Sequence, residues 1–539
     1  FKKNKFERFK RYRMPLSHIL IVYFISVLIV LLPSFGLAKM FQKAGVAQWK
    51  AFVPFYNTWV MQDLAERPKH WVFWQLIPVG GWFISMGIFI EFAKIFGKFS
   101  FLHHAGASLL APLYFPYIAN SKDTKFIGAA AARKHKKSGA REWIDAAVFA
   151  IVAATLIRLF IFEAYTIPTG SMEKSLLVND FLFVSKISYG PRVPNTPLSI
   201  PFIHNYIPGI GSKSYSEAVK LPYIRWWQRP VRRGDAVVFN FPAGDTVIHA
   251  DGFESAVPYY EIKRKDQAGL PTYYIAGGRS MQANPGEILS NPRKFPVVVH
   301  PADKTDNYIK RCIAVAGDTI KVVKGDVFVN GIKQDAPPNS PLKYIVEVKE
   351  NVSLDETGLE DIGIKLNDGD FYQDDPQNRY RYVINLTTAE RAILEKSSLI
   401  KRIEPDLDET ANQLMIFPYD TVHKWSVDNY GGNGLWIPKQ GASLTLTAEN
   451  YALYERTIRV YEHNDFYMKD GKFFLNGKEV TSYTFKMDYF WMMGDNRHNS
   501  QDSRFWGFVP EDRVVGKAWL IWFSWDKGPR WNRLFRIVK

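Results

Sequence analysis

Apolar positions along this chain follow two regimes. Over the first 165 residues they gather in long unbroken runs; beyond that they alternate with polar residues in short segments. Residues 14–38 hold no Asp, Glu, Lys or Arg and centre on Ile19-Leu-Ile-Val-Tyr-Phe-Ile-Ser-Val-Leu-Ile-Val-Leu-Leu32. Residues 71–90 are uncharged, and residues 99–121 carry only His103 and His104 as ionisable groups. A hydrocarbon layer of about 30 Å needs about 20 apolar residues as helix, so each run predicts a spanning segment. Residues 143–165 form a fourth run, with Asp145 at its start and Arg158 and Glu163 near its end. Charges at helix ends reach out to the headgroups, and this run is predicted to be a membrane anchor.

From Thr166 the period changes to that of strands. Phe181-Leu-Phe-Val-Ser185, Ala236-Val-Val-Phe-Asn240, Thr319-Ile-Lys-Val-Val323, Val327-Phe-Val329 and residues 518–525 are short β-rich runs bounded by Gly, Pro, Asn and Asp. Lys324-Gly-Asp-Val-Phe-Val-Asn-Gly-Ile332 reads as strand, turn, strand. Residues 388–403 read as helix. The fold class expected is therefore a mainly β domain, sandwich- or barrel-like, behind an α-helical transmembrane region. The boundaries drawn are residues 1–142 for a multi-span region with a basic loop and 143–165 for the anchor. Residues 166–330 and 485–539 form the two parts of the β domain, and 331–484 an insertion of unknown role.

Composition changes this picture in two ways. The chain of 539 residues has a formal charge of +16, with 47% hydrophobic and 23% charged residues, an ordinary globular average that excludes a disordered or collagen-like chain. The positives cluster beside the apolar runs, seven Lys/Arg in residues 1–13 and seven in 120–142, which points to a membrane surface rather than nucleic acid. The positive-inside rule wants both clusters in the cytoplasm, yet three runs lie between them. Either the tail lies outside or one middle run is re-entrant. The basic loop before the fourth run places everything after Tyr165 outside. The first run is long and lacks a small-x-small exit, so no cleavable signal peptide is expected. A single cysteine, Cys312, excludes an intramolecular disulfide framework and a Cys-based zinc site.

Three motifs carry candidate chemistry. Ile167-Pro-Thr-Gly-Ser-Met172 presents Ser171 at a bend just after the anchor. Tyr308-Ile-Lys-Arg-Cys-Ile-Ala-Val-Ala-Gly-Asp318 sets Lys310 in an apolar strand-like run. Gly494-Asp-Asn-Arg-His-Asn-Ser-Gln-Asp-Ser-Arg-Phe-Trp-Gly507 is a dense polar stretch after the apolar Tyr489-Phe-Trp-Met-Met493. There is no His-Glu-x-x-His, no Gly-Lys-Ser/Thr and no Gly-x-Ser-x-Gly.

Together with Arg233-Gly-Asp-Ala-Val-Val-Phe-Asn-Phe-Pro242, these boxes, in this order after an anchor, resemble bacterial type I signal peptidase. The likeness covers about residues 165–190, 231–243, 306–332 and 486–525. The three-run extension and the insertion resemble the enlarged versions of Bacteroidota-type bacteria. The resemblance implies a membrane-bound serine endopeptidase of the bacterial inner membrane, with its catalytic domain on the extracytoplasmic side and no cofactor. It would remove signal peptides from exported preproteins after small-x-small sites, with the bilayer and the secretion translocon as further partners. Ser171 would be the nucleophile and Lys310 the general base; Thr169, aligned with a Ser of the family, would join the Ser171 N–H in the oxyanion hole. Ser500 would orient the Lys310 amine, with Asp495, Asp502 and Arg504 bracing the site. His498 stands where the family has Asp, which removes one carboxylate from that brace. Ile167, Leu176 and Ile309 are candidate walls of shallow side-chain pockets.

Other readings compete. Cys312, two positions from Lys310, is a conceivable thiol nucleophile but reads better as a small buried hydrophobe. His498 is a conceivable base. His103 and His104 are adjacent, and adjacent helix residues diverge, which favours an interface over a metal. Trp226, Trp227, Trp519, Trp522 and Trp525 suit either a headgroup zone or a β core, and the basic run 527–539 suits anionic lipid or water. The enzyme rival is a self-cleaving repressor-type Ser–Lys peptidase, disfavoured by the apolar N-terminus. The rival of another class is a non-catalytic membrane scaffold.

Overall fold

The computed structural model describes residues 16–77, 80–136, 138–250, 252–253, 257–276, 279–364, 366, 369–374, 378–411 and 415–538. The basic tail 1–13, on which the topology argument turns, lies outside the described residues. The chain divides into two compact units, one of residues 1–161 with Gly190–Gln228 and the other of Phe162–Tyr189 with Arg229–Lys539.

The first unit is helical: α1 (Leu16–Leu31), α2 (Ser34–Lys43), α3 (Tyr56–Leu64), α4 (Gly80–Lys94), α5 (Phe101–Leu109), α6 (Ala111–Asn120), α7 (Gly128–Lys134) and α8 (Gly139–Phe160). The apolar runs do not become four straight rods. The first bends by 46° at the break between Leu31 and Ser34, where Pro33 cannot continue the backbone hydrogen-bond ladder. The second divides into a single turn, Trp71–Trp74, and α4; the third divides at Leu110, with Pro112 in the first turn of α6. At 1.5 Å per residue none of these pieces alone reaches about 30 Å. Among the described residues one helix, α8, is long and apolar enough to cross a membrane, or two if the bent pair counts as one span. The Ser138 side chain caps α8 by accepting from the Arg141 N–H, and Arg158 in its last turn complements the helix dipole. The other helices bury a core of their own around Leu37, Phe41, Ile88, Phe92 and Phe115.

The second unit is built on an antiparallel sheet: β1 (Phe162–Thr166), β2 (Asp180–Ser185), β3 (Ala236–Asn240), β4 (Asn307–Ala314), β5 (Tyr489–Met493), β6 (Val509–Pro510), β7 (Val514–Ser524) and β8 (Arg536–Ile537). The strand order is β1-β2-β7-β3-β4-β5-β6, with β8 on the side of β7. Val237 sits opposite Lys310 and Phe181 opposite Phe523. β3 is buried along its whole length, which matches its unbroken apolar run.

Residues 331–484 fold mainly as sheets. Leu342–Val348, Phe371–Gln373, Arg381–Leu386 and Ile400–Pro405 form one sheet over a separate core of Tyr344, Val346, Tyr382, Ile384 and Leu386. Tyr430–Trp436 pairs with Thr319–Val323 and so ties the insertion to the chain before it. The helix expected over 388–403 is half right. Thr388–Leu394 is helical behind a Thr387/Glu390 capping box, whereas Ile400–Pro405 pairs as a strand with Leu342–Val348. A strand partner outweighs local helix propensity there.

Candidate active site

Pro168 ends the extension of β1, and the chain turns through the short 3-10 segment Gly170–Met172. Met172 anchors this turn in the interior, leaving Ser171 only partly covered. Lys310 arrives from the middle of β4 and is 3% exposed. Its Nζ lies 2.6 Å from Ser171 Oγ. Burial pushes the Lys310 ammonium down to about 8, because desolvation penalises the charged form; Asp502 and Asp495 pull the other way, and desolvation wins.

The polar stretch after β5 surrounds this pair. Asp495 takes a two-pronged contact from Arg311, at 2.7 and 2.5 Å, and Arg311 also donates to the Gly234 carbonyl at 2.7 Å. Asp502, fully buried, receives Arg504 at 2.9 and 2.8 Å and the Gly494 N–H at 3.1 Å. Arg504 holds the Asp502 carboxyl below the usual range, against the desolvation that raises it. Asn496 clamps the serine turn from both sides: its N–H donates to the Ser171 carbonyl at 3.1 Å and its amide to the Gly170 carbonyl at 3.1 Å. Ser500 is buried against Gly494, but its Oγ makes no hydrogen bond, so the expected bond to Lys310 is not formed. Thr169 is extended and exposed beside the turn. Ile167, Leu176 and Ile309 pack in one cluster with Met172 and Ala236; the first two are buried and Ile309 is partly buried.

The competing candidates are accounted for elsewhere. Cys312 is fully buried, and burial pushes its thiol well up, away from a nucleophilic thiolate. His498 Nδ1 receives the Lys343 N–H at 3.4 Å, so Nε2 carries the proton and donates to Asp428 at 2.8 Å. It makes no hydrogen bond to Ser171. Asp428 belongs to the insertion, and its field also acts on Arg504. The carboxylate removed at position 498 is thus returned from position 428.

Residues 140–370 and 439–525 match the sequence pattern of the signal peptidase family, peptidase S26, over more than half of the chain. The chain belongs to this family. It is therefore a peptidase, and the family's substrates are preproteins bearing signal peptides. Signal peptidase I of Buchnera aphidicola from Acyrthosiphon pisum is 26% identical over 387 residues, covering 72% of this chain and 76% of that protein. Signal peptidase I of Haemophilus influenzae is 22% identical over 413 residues, 75% and 77% of the two chains. That of Aquifex aeolicus is 64% identical over a 36-residue stretch, 7% of this chain and 14% of that protein. Residues 49–129 match a separate family of unknown function.

The signal peptidase match skips residues 371–438, which contribute Asp428, Asn385 and Glu390. Asn385 bonds Asn496 at 3.3 Å, and Lys174, three residues past the serine, bonds the Asn385 carbonyl at 2.9 Å and Glu390 at 2.6 Å. These contacts were illegible in the sequence, because they lie more than 100 residues from the loops they hold. The Asp428–His498 pair makes a testable swap. His498→Asp should set two buried carboxylates face to face and cost about 3 kcal/mol. Reversing the pair, His498→Asp with Asp428→His, should recover most of that loss in a urea-unfolding experiment. Equal instability in both variants would show that the two positions do not interact.

Proposed function

We propose that Ser171 and Lys310 act as nucleophile and general base in cleaving signal peptides after small-x-small sites. The observation that carries the reading is the 2.6 Å approach of a buried Lys310 amine, with its affinity for a proton lowered, to Ser171 Oγ. A lysine at its ordinary pKa of about 10.4 is almost wholly protonated at pH 7 and holds no lone pair for the serine proton. Burial supplies the neutral amine. It takes the Ser171 proton as Oγ attacks the scissile carbonyl, and an acyl-enzyme forms. The same amine then protonates the departing amino group and later activates the water that releases the signal peptide. The Thr169 hydroxyl and the Ser171 N–H would receive the oxyanion. Asp495, Asp502 and Arg504 hold the loop that frames the amine, and Ser500 fills the space beside it. The partly buried Ile309 would border the pocket for a small substrate side chain.

The substrate would lie extended against the Ser171 and Lys310 segments. Ten residues separate the last residue of α8 from Ser171, which suits cleavage at the outer surface of an inner membrane, where a signal peptide leaves the bilayer. Exposed Trp519, Trp525, Trp531 and Phe535 suit a lipid partner, and the translocon would deliver the preproteins.

The deciding experiment incubates the purified full chain in detergent with a preprotein bearing an Ala-x-Ala site, beside a Ser171→Ala variant, and maps the cut by mass spectrometry. One cut after the second Ala, absent in the variant, is the expected result. An intact substrate in the presence of folded, lipid-supplied wild type would favour the scaffold reading. Because Lys310 must be neutral, kcat/KM should rise tenfold per pH unit below about 8 and level off above it. Glu173, two residues past the serine, has its carboxyl pushed up to about 7, first by burial and then by Asp370. Glu173→Gln should leave the limb near 8 in place, and its disappearance would assign that limb to Glu173.

A further inference from the structure

The helical unit holds a cavity of about 550 Å³ that the peptidase reaction does not use. Its walls include Arg67, Lys94, Arg133, Arg141 and His104, with Glu91 as the one carboxylate. Glu91 is shared by Lys94 and Arg67, the latter at 2.7 Å, while Arg133 pairs with Glu66 at 2.8 Å and Arg141 with Asp145 at 2.9 Å, so four cations meet three carboxylates and one positive charge is left in excess. Two helices begin at this cavity. Ser100 caps α5 and Ser138 caps α8, and both serines line the wall. Free N–H groups and the positive end of the dipole therefore converge on one space.

Unsatisfied donors sharpen the reading. Arg141 Nη2 lies 2.5 Å from His104 Nδ1, and a guanidinium only donates, so Nδ1 is the acceptor. In neutral His104 the proton then sits on Nε2, and that buried N–H has no partner; His104 is 8% exposed. Arg141 Nη1 is likewise buried without a hydrogen-bond partner. A buried donor left unpaired costs about 1–3 kcal/mol, which an acceptor-rich anion would relieve. A cavity with a net positive charge, two helix starts and two donors that lack a hydrogen-bond partner matches the several oxygens of a phosphate better than a single carboxylate.

We infer that this cavity is a binding site for a phosphate group. The group could be carried by an anionic lipid headgroup or be free in solution, and the experiment separates the two. The full chain in detergent is titrated with phosphatidylglycerol, with phosphatidylcholine, or with inorganic phosphate. Bound lipid is counted by native mass spectrometry and the melting temperature is followed in parallel. Arg141→Gln and the double variant Arg67→Gln/Arg133→Gln are compared with wild type, helix content being checked by circular dichroism. The expected result is retention of phosphatidylglycerol over phosphatidylcholine by at least tenfold, reduced tenfold in both variants, with preprotein cleavage unchanged. A rise in melting temperature with inorganic phosphate in wild type, absent in the variants and without lipid preference, would assign a soluble phosphate. Undiminished lipid retention in the double variant, or no response to any phosphate, overturns the inference. The double variant alters two partly exposed side chains, so the test survives if Arg141→Gln fails to fold.

Discussion

Lys310→Met is expected to lower preprotein cleavage by about 10⁴-fold or more while leaving the protein as stable as wild type, or more so. Both halves follow from burial. Methionine has nearly the volume of lysine without its charge, and it suits an apolar site. The native side chain pays a desolvation penalty that lowers its pKa from 10.5 to about 8. At pH 7 that shift corresponds to about 3 kcal/mol of lost stability, as an order of magnitude. The penalty is constant below about pH 8, where the folded and unfolded states both carry the proton. Between about 8 and 10.5 the unfolded chain still binds the proton and the folded chain does not, so wild-type stability should rise with pH. Lys310→Met should remove that rise. Urea-unfolding curves at pH 7 and pH 10, beside single-turnover cleavage, would check both halves. Normal cleavage by the variant would end the Ser171–Lys310 reading.

Gly494→Ala should be almost as damaging, by a different route. A Cβ at Gly494 would stand 2.5 Å from Ser500 Cβ and 2.6 Å from the Ser171 carbonyl oxygen, and well inside contact distance of Ser500 Oγ. The carbonyl cannot retreat without carrying the serine with it, and Asn496 holds it there by a hydrogen bond. Overpacking of this kind costs about 1–3 kcal/mol, and a shift near 1 Å at the reacting atoms costs about 100-fold in rate. Adding Ser500→Gly removes two of the three clashes and leaves the one against Ser171. The double variant should therefore regain melting temperature and stay slow. Recovery of both together would mean that Gly494 matters only for packing.

Two strands of the β unit were legible because their apolar runs are continuous and bounded by turn residues. Ala236–Asn240 and Thr319–Val323 form over the residues their patterns predict. Ser171 and Lys310 were legible as motifs, but nothing in their neighbourhoods states that they meet. The breaks within the apolar runs have a cause visible in the sequence: Pro33 and Pro112 mark them where the hydropathy of 14–38 and 99–121 hides them. The partner of His498 has no such local sign. Asp428 lies 70 residues away, and no local pattern links a lone histidine to a distant aspartate. Long-range polar pairs are fixed by topology, and topology is what short-range periodicity leaves open.

The strand order has a consequence for when this protease becomes active. Ser171 stands between β1 and β2, Lys310 stands on β4 beside β3, and β7 is the strand that joins those two pairs. β7 is made about 350 residues after Ser171. At about 5–20 residues per second, a ribosome needs roughly 20–70 s to cover that distance. Over roughly the last 200 of those residues the growing chain carries both the serine and the lysine, in strand pairs that β7 has not yet joined, with the amine still wet and charged. The order of translation itself thus serves as a safety catch, holding the two side chains apart until the last long strand is made.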